Sequence, residues 1–315
     1  MTYRIFIDGA AGTTGLKVAD RLAGHPGVEA CALDAEARKD NAARREMMAE
    51  TDLTILCLPD DAARDAASMA DQVGARLIDA SSAHRTHADW VYGFPELASG
   101  QRDAIAAASR ISNPGCYPTG FLALVRPLVD AGLLPVDALL TVPAVSGYSG
   151  GGNAMIARHE AGDLPPHGAY GVTLAHKHLP EMVAFSGLAS APIFMPSVGS
   201  FCAGMLVNVP LHASQLTKAV RGQNLHEILA AHYANAALVR MGASAAGDAA
   251  ALKDNLLAAD ELAGQNHLEL FVFANADDSQ FWLVARLDNL GKGASGAAVQ
   301  NMNIALGIEE TTGLI

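Results

Sequence analysis

Along the first third of the chain, short apolar runs alternate with stretches whose apolar positions recur every three or four residues. Tyr3–Asp8, Val28–Leu33, Asp52–Leu58, Arg76–Ala80 and Ala106–Ile111 read as strands. Asp52–Leu58 is almost continuously apolar, as a strand covered on both faces requires. Between them, Leu16, Ala19 and Leu22 mark the inward stripe of a helix that Gly24 stops, and Pro59-Asp60 opens another that runs to Gln72. This alternation predicts an α/β fold with an N-terminal doubly wound, Rossmann-like parallel sheet. A helix over residues 119–131 ends that pattern. Ala138–Val145, Pro192–Val198, Phe201–Val209, His267–Asn275 and Ser279–Leu287 then read as strands with few helices between them, Asn224–Ala234 being one. The last two strands face each other across Ala276-Asp277-Asp278. Strands in succession predict a second, α+β domain built on a mostly antiparallel sheet. A helix of small residues, Ala297–Leu306, closes the chain.

Composition narrows the function classes. The chain has 315 residues, half of them hydrophobic, and 30 glycines, which suits two domains with sizeable cores. Its net charge of −12 argues against a nucleic-acid partner, which needs a basic footprint, but not against a small anionic ligand. Apolar runs are broken before membrane-spanning length, and Met1-Thr2-Tyr3-Arg4 leads straight into a strand without a signal peptide. The four cysteines, at 31, 57, 116 and 202, form no CxxC pair. The expectation is a cytoplasmic protein with no membrane partner. The Ala-rich stretch 243–251 reads as a loop or helix surface without a function.

Chemistry gathers at the ends of the predicted strands. Gly9-Ala-Ala-Gly12-Thr13-Thr14-Gly15 lies between a strand and a helix, where backbone N–H groups can hold a pyrophosphate. The spacing is GxxGxxG, and a glycine-rich turn without ligand is the alternative. Asp34, about twenty residues on, would grip a ribose 2′-hydroxyl and suggests NAD; Arg38-Lys39 could meet a 2′-phosphate and suggest NADP. The residues alone leave both open. Ser81-Ser82-Ala83-His84-Arg85 ends a strand, where ligands bind in open α/β sheets.

Ser112-Asn113-Pro114-Gly115-Cys116-Tyr117-Pro118-Thr119-Gly120 sets one thiol at a turn before a helix, whose N-terminal dipole favours a thiolate. Cys116 is therefore a candidate nucleophile, a buried space-filling residue being the alternative. Ser146-Gly147-Tyr148-Ser149-Gly150-Gly151-Gly152 could wrap an anion or act as a hinge. In His176-Lys177-His178-Leu179-Pro180-Glu181, His178 has a carboxylate one helical turn away, the arrangement of a general acid/base, with His176 the alternative. No third ligand supports a metal reading of the two histidines. Gly291-Lys292-Gly293, before the last helix, suggests a further contact to phosphate or nicotinamide.

Together these motifs resemble the N-acetyl-γ-glutamyl-phosphate reductases, in particular their shorter subgroup, over essentially the whole chain. The carriers are Gly9–Gly15, Ile111–Gly120, Ser146–Gly152, His176–Glu181 and Asn289-Leu-Gly-Lys-Gly-Ala-Ser-Gly296. The resemblance implies NADP(H), with Arg38 and Lys39 on the 2′-phosphate, and an aspartate-semialdehyde-dehydrogenase type of two-domain fold. It also implies an acyl-phosphate substrate of arginine biosynthesis, inorganic phosphate as co-product, a Cys116 thioester, and a homodimer or homotetramer. Residues 1–117 would form the dinucleotide-binding domain, rejoined by 291–315, and 118–290 the substrate and oligomerisation domain. Gly9, Gly12, Thr13, Thr14, Gly15, Gly291, Lys292 and Gly293 would hold the cofactor. Ser82, Arg85, Asn113, Ser146, Tyr148, Ser149, Gly150 and Lys177 would hold the substrate. The family commonly has a cation where this chain has Asn153, which leaves Arg85, Arg110, Arg158 and Lys177 as candidates for the substrate phosphate. Another acyl phosphate, aspartyl or carrier-linked, is the alternative substrate.

Overall fold

Strands β1 (Tyr3–Asp8), β2 (Val28–Cys31), β3 (Leu53–Leu56), β4 (Leu77–Asp79), β5 (Val91–Tyr92) and β6 (Arg110–Ser112) form one sheet in the order β2-β1-β3-β4-β6-β5. Every pairing in it is parallel. The computed structural model describes residues 2–242 and 252–315, so the Ala-rich stretch 243–251 lies outside the described residues. The chain divides into two units, Met1–Gly115 with Gly293–Ile315, and Cys116–Lys292.

In the first unit, helices α1 (Thr13–Leu22), α2 (Asn41–Glu50), α3 (Asp60–Val73) and α4 (Gln101–Ala107) connect the strands. All four residues of β3 are buried, as a centrally placed parallel strand demands. Asp60 and Asp61 occupy the positive first turn of α3, and Gly74 ends that helix at φ +67°. The apolar stripe of α1 runs through Gly15, Val18 and Leu22, so the expected inward Leu16 is instead half exposed. The strand expected over Ala106–Ile111 is shorter. Ala106 and Ala107 complete α4, where small residues favour helix, and Arg76 gathers the carbonyls of Ala106 and Ala108 at 2.6 and 2.7 Å. The C-terminal helix, Gly296–Leu306, is buried nearly all round despite Gln300, Asn301 and Asn303. Partners supplied by the unit make this possible: Gln300 donates to Glu96 and Glu310, Asn301 to the Gly93 carbonyl, and Asn303 to the carbonyls of Glu310 and Thr312.

The second unit opens with α5 (Cys116–Asp130). It continues through β7 (Thr141–Gly147), α6 (Gly152–Glu160), β8 (His167–Ala169), α7 (Leu179–Ser186), β9 (Ile193–Gly199), β10 (Met205–His212), α8 (Gly222–His232), β11 (Val239–Met241), β12 (Leu268–Ala274) and β13 (Gln280–Leu287). Its sheet runs β11-β12-β13-β10-β7-β9-β8. The pairings are antiparallel except β7 with β9 and β11 with β12. Helices α5 and α8 pack on one face, over β10, β12 and β13. Away from them, Leu139, Ile193, Met195, Pro210 and Trp282 are exposed. Register places Thr141 beside Ile193 and Pro210 beside Trp282, and a groove of about 780 Å³ joins Leu139, Thr141, Pro210 and Trp282, so these residues share one face.

Candidate active site

In the first unit, Gly9 follows directly on β1 at φ +94°, where an added Cβ would stand 2.4 Å from the Cys57 carbonyl oxygen. At Gly15 the same atom would stand 2.3 Å from the Gly9 carbonyl oxygen. Both glycines are therefore required by the backbone itself. Gly12 differs. It is extended, at φ −79° and ψ 163°, and its added Cβ would meet nothing closer than 3.6 Å. No contact within the protein demands glycine there, so the missing side chain fits a group that approaches the start of α1 from outside. That is the cradle a pyrophosphate needs.

Beside this loop is a cavity of about 240 Å³ lined by Phe6, Ile7, Asp8, Gly9, Ala10, Ala11, Leu33 and Arg38. Arg38 is exposed and Lys39, its neighbour, is too, but only Arg38 lines the cavity. Asp34 turns its carboxylate onto the amides of Glu36 and Ala37 at 2.9 and 2.8 Å, and these bonds hold it below the usual carboxylate range. The acid thus builds the turn that presents Arg38. Asp8 and Arg38 are the charged residues of its lining.

The carboxyl ends of β4 and β6 carry a second group of polar residues. Asp79 is fully buried and accepts from Ser81 and from His84 Nδ1 at 2.7 and 2.6 Å, while His84 stacks on Trp90. Asn113 is anchored four times. Its amide donates to the Asp79 carbonyl, its carbonyl accepts from Arg85 Nε, and its side chain bridges the Ala294 carbonyl and Asn301. These contacts make Asn113 a fixed point three residues before Cys116. Ser82 is likewise held, by amide and hydroxyl, on Asp60. Arg85 is buried at the same strand ends, whereas Arg110 begins β6 at the opposite edge and pairs with Asp71. Arg110 is thereby removed from the candidates for the substrate phosphate.

In the second unit Cys116 is the first residue of α5 and partly exposed, so its thiol lies at the positive end of the helix. Cys57 offers a contrast: burial first, then Asp79 and Asp8, push its thiol up to about 12. Burial likewise raises Cys31. Neither is a thiolate near neutral pH.

Tyr117 and Tyr170 are close enough to Cys116 for a charge on its sulfur to act on both phenols. Tyr170 donates to Tyr117 at 3.1 Å, and Tyr117 donates to the Ser197 carbonyl at 3.1 Å. Burial raises both phenols, Tyr170 to about 12, and a negative charge on Cys116 raises both further. The Ser146 hydroxyl also bonds the Tyr117 phenol. The imidazoles of His176 and His178 pack against Tyr117, with ring centroids 6.4 and 6.0 Å away. His178, the N-cap residue of α7, and Glu181 in its first turn are both buried, whereas Lys177 between the histidines is exposed. His176 accepts from the His178 amide through Nδ1 at 3.2 Å, so part of its polar capacity shapes the turn.

The glycine-rich stretch at 146–152 begins at the end of β7. It forms a tight helical turn, Tyr148–Gly151, that leads into α6. Ser149 is buried and accepts from Asn289, while Gly150 lies beside the Ser146 hydroxyl. Tyr148 stacks on His159 and bonds Cys202, which raises its phenol. Arg158 and Asn153 lie exposed on α6. Gly291 and Lys292, the latter buried, belong to a wide helical turn, Gly291–Ser295, that also contains Gly293. The glycine loop, Cys116 and the His178–Glu181 spacing were visible in the sequence as candidates. Tyr170 was not, because nothing around it repeats or matches a chemical spacing. Tyr117 had only its place beside the cysteine.

Comparison with known proteins matches residues 116–289 to the semialdehyde dehydrogenase dimerisation domain and 39–108 to the semialdehyde dehydrogenase NAD binding domain. N-acetyl-γ-glutamyl-phosphate reductase of Trichormus variabilis is 48% identical over 99% of each chain. That of Brucella anthropi is 48% identical over 98% of this chain and 99% of its own. Among solved structures, aspartate semialdehyde dehydrogenase II of Vibrio cholerae superposes with a TM-score of 0.73 at 15% identity, over 97% and 98% of the two chains. Aspartate semialdehyde dehydrogenase with NADP of Candida albicans gives 0.68 at 14%, over 96% and 98%. The fold is that of these enzymes.

Proposed function

The chain belongs to the N-acetyl-γ-glutamyl-phosphate reductase family of semialdehyde dehydrogenases, and we propose that it reduces N-acetyl-L-glutamyl 5-phosphate to N-acetyl-L-glutamate 5-semialdehyde and phosphate. This is a step of arginine biosynthesis, and a cytoplasmic location follows from the reading. The cofactor is a nicotinamide dinucleotide. Arg38 on the cavity wall and Asp34 folded onto its own turn support NADPH over NADH.

The observation that carries the reaction is the place of Cys116: a partly exposed thiol on the first residue of α5, with His178 and Glu181 buried in the same unit. As thiolate, Cys116 Sγ attacks the γ-acyl carbon, the carbon–oxygen bond to phosphorus breaks, and phosphate leaves. A thioester remains on Sγ. A nicotinamide dinucleotide held at the Gly9–Gly15 loop would supply the hydride that reduces it. The thiohemiacetal on Cys116 then releases Sγ as the semialdehyde forms. First-turn amides of α5 are the donors nearest the developing oxyanion by position along the chain. His178, steered by Glu181, moves the proton; His176, whose Nδ1 holds the turn, is the weaker candidate. Arg85, Arg158 and Lys177 are the cations left for the substrate phosphate.

A second copy of the chain is the protein partner, because residues 116–289 match a dimerisation domain and an uncharged apolar face lies exposed on its sheet. Two copies carrying −12 each approach with least repulsion through such a face. The reaction is tested with Cys116→Ser, which should abolish phosphate-dependent NADP⁺ reduction by the semialdehyde while leaving NADPH binding intact. Retained activity would refute the covalent route.

A further inference from the structure

Asp8 ends β1 with its side chain 3% exposed, and it lines the same cavity as Gly9, Ala10, Ala11 and Arg38. A lone carboxylate there would repel the phosphates that the cavity is proposed to hold. Arg44, from the middle of α2, meets it. Nε and Nη2 reach Asp8 Oδ2 at 3.1 and 2.7 Å, and Nη1 reaches Asn41 at 3.2 Å. The guanidinium is itself buried, with 10% of the side chain exposed. Neither residue takes part in the chemistry above, and a buried ion pair is weak evidence of added stability.

The connection onward from Arg44 suggests what the pair does. Asp40 caps α2 by accepting from the Ala42 amide at 2.8 Å, and its own amide closes on the Ala37 carbonyl at 3.0 Å. The Arg38 amide bonds the Asp34 carbonyl at 3.1 Å. The turn Ala37–Lys39 thus passes directly into α2, and Arg44 fastens α2 to the end of β1. We propose that Arg44 and Asp8 are positioning residues for the adenosine 2′-phosphate of the cofactor. Their fork neutralises the acid beneath the glycine loop and fixes the helix into which the Arg38-bearing turn Ala37–Lys39 runs. The proposal rests on the NADPH reading above.

The test is calorimetric titration of the whole apo protein with adenosine 2′,5′-bisphosphate and with 5′-AMP, which differ only in the 2′-phosphate. Three variants are compared with wild type: Arg38→Ala, Arg44→Lys, and the double variant Asp8→Asn/Arg44→Gln. The double variant leaves no lone buried charge and so keeps the fold, which circular dichroism verifies. In both Arg44 variants the preference for the bisphosphate should fall about fivefold or more towards that of Arg38→Ala, while 5′-AMP affinity changes little. If both variants keep the wild-type preference while Arg38→Ala loses it, the pair is only structural and the proposal is overturned. Equal weakening of both probes overturns it as well. If wild type itself shows no preference, the NADPH reading fails, and the proposal with it.

Discussion

The three loop glycines can be separated by one methyl group each. At Gly15 an alanine Cβ would lie 2.3 Å from a carbonyl oxygen and 2.8 Å from the Ala10 Cα, both backbone atoms. At Gly9 it would lie 2.4 Å from the Cys57 carbonyl oxygen, on a residue at φ +94°. Overpacking of this kind costs roughly 1–3 kcal/mol, and left-handed backbone adds about 1 kcal/mol more. Gly12→Ala meets only ordinary contacts, at 3.6 Å and beyond, in a conformation open to any residue. Restricting the unfolded chain gains about 0.4–1 kcal/mol, which offsets a cost of similar size for alanine at the N-cap of α1, so stability should change by less than about 0.5 kcal/mol. The substitution should nevertheless weaken NADPH binding. A charge-assisted bond from a backbone amide to phosphate contributes roughly 1.5–3 kcal/mol, so losing one weakens binding about tenfold to a hundredfold. Thermal melts and NADPH titrations of Gly9→Ala, Gly12→Ala and Gly15→Ala measure both quantities. Only Gly12→Ala should pair an undiminished melting temperature with impaired binding. If it binds NADPH within twofold of wild type, the loop is not the pyrophosphate cradle.

Two further outcomes follow from other parts of the molecule. Cys57 keeps its proton to about pH 12 when folded but loses it near 9.0 when unfolded, so stability is intact below pH 9 and falls as pH rises from there towards 12. Urea unfolding at pH 8 and 10.5 should show a shallower alkaline loss for Cys57→Ala, by about 1.4 kcal/mol per pH unit, and an unchanged slope would contradict the assignment. Placing acids on the exposed sheet face, as Met195→Glu/Trp282→Glu, should convert the assembly to monomers in light scattering behind size exclusion; an unaltered mass would move the interface elsewhere.

The order of elements was largely legible because parallel strands and amphipathic helices leave opposite periodicities in a sequence. Helix α2 was hidden by its composition: half of Asn41–Glu50 is polar, and only Arg44 and Met48 are buried. The two-residue β5 and three-residue β8 and β11 are too short to show a period. Cys116, His178 and Glu181 stood out because thiol, imidazole and carboxylate have few other uses at such spacings. Arg110 misled because the strand expected over Ala106–Ile111 put it near the carboxyl end, whereas β6 is Arg110–Ser112 and Arg110 begins it. The Asp8–Arg44 pair spans residues far apart in the chain, and no local pattern announces such a contact.

The second unit is an insertion: the chain leaves the first at Gly115 and re-enters it at Gly293. Synthesis on the ribosome runs in one direction, so the C-terminal helix emerges only after all of Cys116–Lys292. Until then the nascent first unit lacks the partners of Gly93 and Glu96 that Asn301 and Gln300 provide. The cofactor-binding half is begun first and finished last. A polypeptide truncated anywhere before Gly296 therefore loses the integrity of its N-terminal half, and premature termination cannot release a finished dinucleotide-binding fragment that would compete with the intact enzyme for cofactor.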